Sequence, residues 1–255
     1  MKVARHPHTQ QPVTIPDYRK EFGAPYEKGI KNERPAATCP ACKQELFIKG
    51  ETNPNATMAF CHFPAKGGEQ KPFCPIKVGG SHKYKVLCPV DEDPKRTKQL
   101  RDNFFTNWKI HWVKFMHHVG YVDINDFIQA LKVADKEHVW RYRQLQEHEV
   151  IIVLMLISDF KPVIGKTKVW RKNWIRFWFE SQVKTFQEFW NLSDEKKTII
   201  RAEYNVPTGL KRISPDHLCK YKDINVSEDY LLNRQPGDDV VHPVVANAMK
   251  RNFKV

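Results

Sequence analysis

What this 255-residue chain lacks narrows the field first. It has no apolar run long enough to cross a bilayer. The longest, VIIVLMLI at 150–157, is eight residues, against the roughly 20 that a spanning helix needs. The opening MKVARHPHTQQPVTIPDYRKEF carries no apolar stretch after its basic residues, so no secretory leader is expected. The chain reads as soluble and cytoplasmic, with no membrane partner. No internal repeat is visible. No glycine-rich phosphate loop is present either, because Gly67-Gly68 and Gly79-Gly80 precede no helix pattern. The module around the cysteines has acids at Glu45, Glu51 and Glu69, none in an HxE or HExxH arrangement.

Negative charge is also in short supply. Forty-two Lys and Arg stand against 29 Asp and Glu, leaving +13 and a pI near 9.4. Such an excess attracts polyanions, and DNA or RNA is the commonest one that a soluble protein meets. Hydrophobic residues make up 41%, ordinary for a folded protein and too many for a disordered one.

Cysteine is scarce but clustered: four of six lie in CPACKQELFIKGETNPNATMAFCHFPAKGGEQKPFC, residues 39–74. In a reducing compartment such clustering points to a metal rather than to disulfides. Cys39-Pro-Ala-Cys42 can place two thiolates on one ion from a single turn. Tetrahedral Zn²⁺ needs two more ligands, and Phe60-Cys61-His62-Phe63 and Phe73-Cys74-Pro75 offer them. Neighbours on a strand point to opposite faces, so one of Cys61 and His62 reaches the ion. Cys88 is a further competitor. Four or more soft ligands without a proton-moving acid make this a structural zinc site in expectation, not a catalytic one.

CPACKQELFIKG, the following HF and Cys74 together resemble the N-terminal zinc motif of the competence protein CoiA-like family. There a CPxC pair and a Gly-bearing hairpin precede an HFxH segment and another Cys. The resemblance spans residues 39–74 only and implies the ligand set Cys39, Cys42, His62 and Cys74. Ala65 stands where the second His of HFxH falls, which keeps Cys61 open as an alternative ligand. The resemblance also implies a microbial setting in DNA processing or defence, with other protein subunits, and a restriction-type nuclease domain downstream. A nuclease site needs acids on a strand. The nearest match is Asp159-Phe160-Lys161, at the end of the apolar run, and it lacks a patterned partner.

The rest of the chain reads as mainly α, giving an α+β protein with a small zinc-stabilised β-containing module. The expected division is an extended lead-in at 1–38, the zinc module at 39–92 and a helical basic domain at 93–255. Periodic apolar residues from Leu100 to Val119 predict one helix ending at Gly120. Asp123 predicts the cap of a second, and Pro243 the first turn of the last. The spacing around Trp170, Trp174, Phe177 and Trp178 predicts a helix with a basic back. DEKKTIIRAEYN predicts another, capped at Ser193. The run at 150–157 is buried as either helix or central strand. Lys95, Arg96, Lys98 and Arg101, with Lys166, Lys168, Arg171 and Lys172, and with Lys211 and Arg212, form dispersed clusters suited to phosphate contacts. His111 falls on an apolar helix face and reads as packed core; His217 and Cys219 are badly spaced for a catalytic couple. The function expected is therefore non-enzymatic binding of DNA or RNA, as a subunit of a nucleoprotein complex. A metal-dependent nuclease with a divergent site and a protein–protein adaptor are the alternatives.

Overall fold

The computed structural model describes residues 1–64, 74, 76, 93–165, 169–179, 186–193, 196–207, 209–210 and 213–254. Lys166, Lys168, Lys211, Arg212 and Cys88 fall outside them. The described residues within Met1–Gly80, Glu180–Gln182 and Ala202–Lys222 form one compact unit. Those within Ser81–Phe179, Val183–Arg201 and Asp223–Val255 form a second.

The first unit is built on a five-stranded antiparallel sheet ordered β2-β1-β5-β6-β7, from β1 (Val3–Arg5), β2 (Pro12–Thr14), β5 (Ala37–Thr38), β6 (Glu45–Lys49) and β7 (Ala59–His62). Helix α1 (Ile15–Phe22) starts where Thr14 Oγ1 accepts from the Asp17 N–H. It stops at Gly23, whose φ of 75° suits a residue without a Cβ. The small pair β3 (Tyr26–Glu27) and β4 (Ile30–Lys31) follows. Residues 1–38, read as a lead-in, thus supply β1 to β5 and α1. Their core includes Val3, Ala4, Val13, Ile15 and Tyr18, packed with Leu46 and Phe60.

The second unit holds α2 (Pro94–Thr106), α3 (Trp108–Val119), α4 (Ile124–Lys136) and α5 (Val150–Leu156). Asp93 caps α2 by accepting from the Lys95 and Arg96 N–H groups, and Asp123 caps α4 as expected. The single helix expected over Leu100–Val119 is interrupted at Asn107, which closes α2 and opens α3. Residues 150–156 form a helix rather than a strand, and all seven residues of α5 are buried. Strands β8 (Val163–Ile164) and β9 (Val169–Arg171) pair, β10 (Trp174–Phe179) follows, and α6 (Phe186–Trp190) is short. Strands β11 (Thr198–Tyr204) and β12 (Leu218–Asn225) complete a three-stranded sheet ordered β10-β11-β12; both run through the division between units. Helices α7 (Asp229–Leu232) and α8 (Pro243–Phe253) end the chain, the latter with Pro243 in its first turn.

The expectation of a mainly α protein is therefore corrected. Among the described residues helix makes up 39% and strand 23%, the latter in four small antiparallel sheets, a mixed class. Two segments account for much of the difference. WIRFWF at 174–179 is β10, with every residue from Ile175 to Phe179 buried. Two-faced burial of that kind yields a continuous apolar run, which reads equally as a buried helix. TIIRAEY at 198–204 is β11, where Ile200, Ala202 and Tyr204 alternate with half-buried Arg201 and Glu203. Its β-branched start and period of two outweigh the capping signal at Ser193.

Candidate metal centre

The hairpin β6–β7 pairs Leu46 with His62 and Phe47 with Cys61. Alternation puts His62 on the Leu46 side and Cys61 on the Phe47 side. Ahead of β6, the Cys39-Pro-Ala-Cys42 turn is closed by two backbone bonds: Lys43 N–H to the Cys39 carbonyl at 3.0 Å and Cys39 N–H to the Gln44 carbonyl at 2.8 Å. Lys43 takes a left-handed φ of 54° to make that turn. The backbone N–H groups of Gln44 and Ile76 point at the sulfurs of Cys42 and Cys74, the stabilisation expected in a metal knuckle.

Cys39, Cys42, His62 and Cys74 offer ligand atoms that all lie within 4.8 Å of one another. Cys39 and Cys74 are buried, with sulfurs 3.8 Å apart, while Cys42 Sγ lies 3.2 Å from His62 Nε2. A disulfide would need about 2.05 Å. Two thiolates each about 2.3 Å from a tetrahedral ion are separated by about 3.8 Å, and the Cys39–Cys74 edge has that length. The Cys42–His62 edge is a few tenths of an ångström shorter than a relaxed tetrahedron gives. The residues fit a dication.

The protonation of the cluster leads to the same chemistry. Burial pushes the Cys39 thiol up. Hydrogen bonds from Cys39 and Cys74 hold the Cys42 thiol well below the usual thiol range. For Cys74 the Cys39 hydrogen bond pulls downward, but the nearby Cys42 sulfur and burial outweigh it, pushing the thiol up to about 12. Burial and mutual contact thus oppose ionisation of all three sulfurs together. A dication would let all three ionise, so a metal would compete with protons for these sulfurs.

No family model, curated protein or solved structure matches this chain.

The other residues singled out in the sequence are dispersed. Lys95 and Lys98 are exposed near the start of α2, and Lys172 is exposed after β9. Arg96 donates to the carbonyls of Tyr142 and Leu145, at 3.4 and 2.7 Å. Arg101 pairs with Asp135 at 3.1 and 3.2 Å and lies over the Phe105 ring. Arg171 sits on a strand, not on a helix face. It is 7% exposed and donates to the carbonyls of Lys161 and Tyr121. Asp159 follows a helix rather than a strand, and Arg176 grips both its oxygens at 2.7 and 2.6 Å. That carboxylate is committed to a structural pair. Among the described residues, the Cys39 group is the only cluster of His, Cys, Asp and Glu placed to hold a metal. Also among them, no helix is long and apolar enough to cross a membrane.

Two polar constellations had no sequence signature. His111, fully buried, bonds Tyr230 Oη through Nδ1 at 3.0 Å and Glu147 Oε1 through Nε2 at 3.1 Å, with Phe104 stacked on its ring at 4.2 Å. Burial pushes its pKa down, and enclosure leaves the imidazole no face for a substrate. Glu51, its side chain 4% exposed, accepts from both Arg34 terminal nitrogens at 2.8 Å, with Arg19 Nε at 3.4 Å. The partners in each are separated by 17 to 119 residues, which no local pattern signals.

Proposed function

We propose that this chain is a non-enzymatic nucleic-acid-binding protein whose first unit is stapled by one structural Zn²⁺. The observation that carries the zinc half is the convergence of Cys39, Cys42, His62 and Cys74 within 4.8 Å. Zinc at that centre would neutralise thiolates and cross-link three distant pieces of chain: the 39–42 turn, β7 and Cys74. Four protein ligands leave no open position for water, so its role is to brace the fold.

The binding half rests on the +13 charge and on the exposed Lys95, Lys98 and Lys172. Lys166, Lys168, Lys211 and Arg212 would add to that surface, whereas Arg96, Arg101 and Arg171 are occupied with contacts inside the fold. A cytoplasmic microbial nucleoprotein complex of DNA processing or defence is the setting that the CoiA-like resemblance at 39–74 suggests.

Titrating labelled duplex and single strand at two salt concentrations tests the reading, with elemental analysis of the same sample. One zinc per chain and an affinity that falls steeply with salt are expected. Absence of binding at low salt ends it.

A further inference from the structure

The first unit carries an open cavity of about 780 Å³. Its rim is aromatic and unusually exposed. Phe63 is 53% and Tyr26 55% accessible, and Phe47 lies with its ring centroid 5.1 Å from that of Phe63 at 42°. Phe63 and Tyr26 are too open to be core, and exposed rings around a groove on a folded unit mark a contact surface. Lys31, cross-strand partner of Tyr26, and Lys49, at the end of β6, line the same cavity and are exposed. Glu51 also lines it, but Arg34 already holds that carboxylate. Glu33 is then the remaining acid against Lys31 and Lys49.

We infer that this groove receives unpaired bases of a single-stranded nucleic acid, which stack on Phe47, Phe63 and Tyr26 while Lys31 and Lys49 take the adjoining phosphates. The inference rests on the proposed nucleic-acid binding and gives it a site and a strand preference. In a duplex the base faces are covered by their neighbours, so only unpaired bases can use the rings. Stacking needs only a π-face and is tolerant of sequence. The flanking lysines carry the charge complementarity that an apolar peptide would leave unused.

The test uses the full zinc-loaded chain and fluorescence anisotropy with labelled oligothymidylate, oligouridylate and a duplex of equal length. The variant F47A/F63A should bind both single strands about 10- to 100-fold more weakly, with duplex binding and salt slope unchanged. F47Y/F63Y should restore the affinity. K31A/K49A should instead flatten the single-strand salt slope by about 1.4. Retained zinc and an unchanged melting curve certify the fold. If the double variant loses its metal, F63A alone carries the test, since that ring is exposed and its removal leaves no cavity. A greater loss for oligouridylate than for oligothymidylate assigns the groove to RNA, and the reverse to DNA.

Wild type that binds strands as tightly as F47A/F63A does overturns the groove and leaves the cationic-surface reading standing. Wild type that binds neither strand nor duplex at low salt overturns both. Loss of a co-purifying protein in F63A, with oligonucleotide binding intact, hands the groove to a peptide and overturns the inference.

Discussion

The two units hold themselves together by different means. In the first, strands are two to five residues long, and the cross-links are polar: three cysteines and a histidine at one point, Glu51 with two arginines at another. In the second, fully buried rings dominate. Phe104, Phe115, Phe127, Phe177 and Phe179 are all at or below 1% exposure, and α5 is buried on every side. A unit with little apolar area to bury needs a staple, whereas one that buries many rings does not. The contrast says that stability in this chain should divide by reagent: chelators should act on one unit, core truncations on the other.

The largest effect expected is from metal removal. Structural zinc in small modules is worth on the order of 10 kcal/mol of folding free energy at neutral pH. Cys39→Ala, or a strong chelator, should therefore unfold the first unit. Limited proteolysis should then cut within residues 1–64 while the 94–156 helices stay protected. Simultaneous loss of both units would erase the contrast.

Phe115→Ala probes the other side. Phe115 is 0% exposed between Phe127 and Phe160. Its truncation should destabilise the second unit by about 3–5 kcal/mol in denaturant melts and leave zinc content untouched. Glu51→Ala should show the polar counterpart in the first unit. It strands the Arg34 guanidinium, 13% exposed, without its carboxylate, a loss of about 3–5 kcal/mol that should be the same with and without added zinc.

A pH dependence sharpens the comparison in the second unit. Burial sets the folded-state pKa of His111 below its ordinary 6.5. The unfolded chain then binds more protons than the folded one in the window below 6.5. The His111 contribution is complete above that pH and is lost as pH falls toward the lower folded value. Glu147 has a carboxylate also held below its usual 4.5, where hydrogen bonds from His111 and Asn107 outweigh burial; it acts with the same sign further down. Melts of a metal-free sample should lose second-unit stability between neutral and mildly acid pH, and His111→Gln should flatten that slope.

How much of this the sequence disclosed depends on how local each determinant is. Asp123, Gly120 and Pro243 are read correctly because a cap or a proline acts within one turn of its own position. The Cys39–Cys42 turn is legible for the same reason. Cys74 and the Cys61-His62 pair are also named in advance, because a tetrahedral ion needs two ligands beyond the turn; the preference for His62 over Cys61 comes only from a resemblance over residues 39–74. The interruption at Asn107 falls where the side chain donates to Glu147, forty residues away, at 2.7 Å, a contact that no local pattern shows. Strands β10 and β11 are misread as helices because a strand is made by partners distant in the chain. WIRFWF looks the same to a local reading whether its neighbours are helical turns or hydrogen-bonded strands. The cationic clusters show a further limit: charge count is visible in the sequence, but the commitment of Arg101 to Asp135 and of Arg171 to backbone carbonyls is not.

The smallest effect expected tests which neighbour on β7 would serve a metal. Cys61 pairs with Phe47 and His62 with Leu46, so the two side chains leave the strand in opposite directions. Only His62 joins the cluster, with Nε2 at 3.2 Å from Cys42 Sγ. Cys61→Ser should therefore keep one zinc per chain and shift stability by no more than about 0.5 kcal/mol. His62→Ala should lose most of the metal, and cobalt substitution reads the difference directly. The visible and near-ultraviolet bands of a three-sulfur, one-nitrogen tetrahedral site should be unaltered in Cys61→Ser and lost or displaced in His62→Ala. A spectrum altered by Cys61→Ser would move the fourth ligand one residue along the strand and require β7 to turn its other face to the ion.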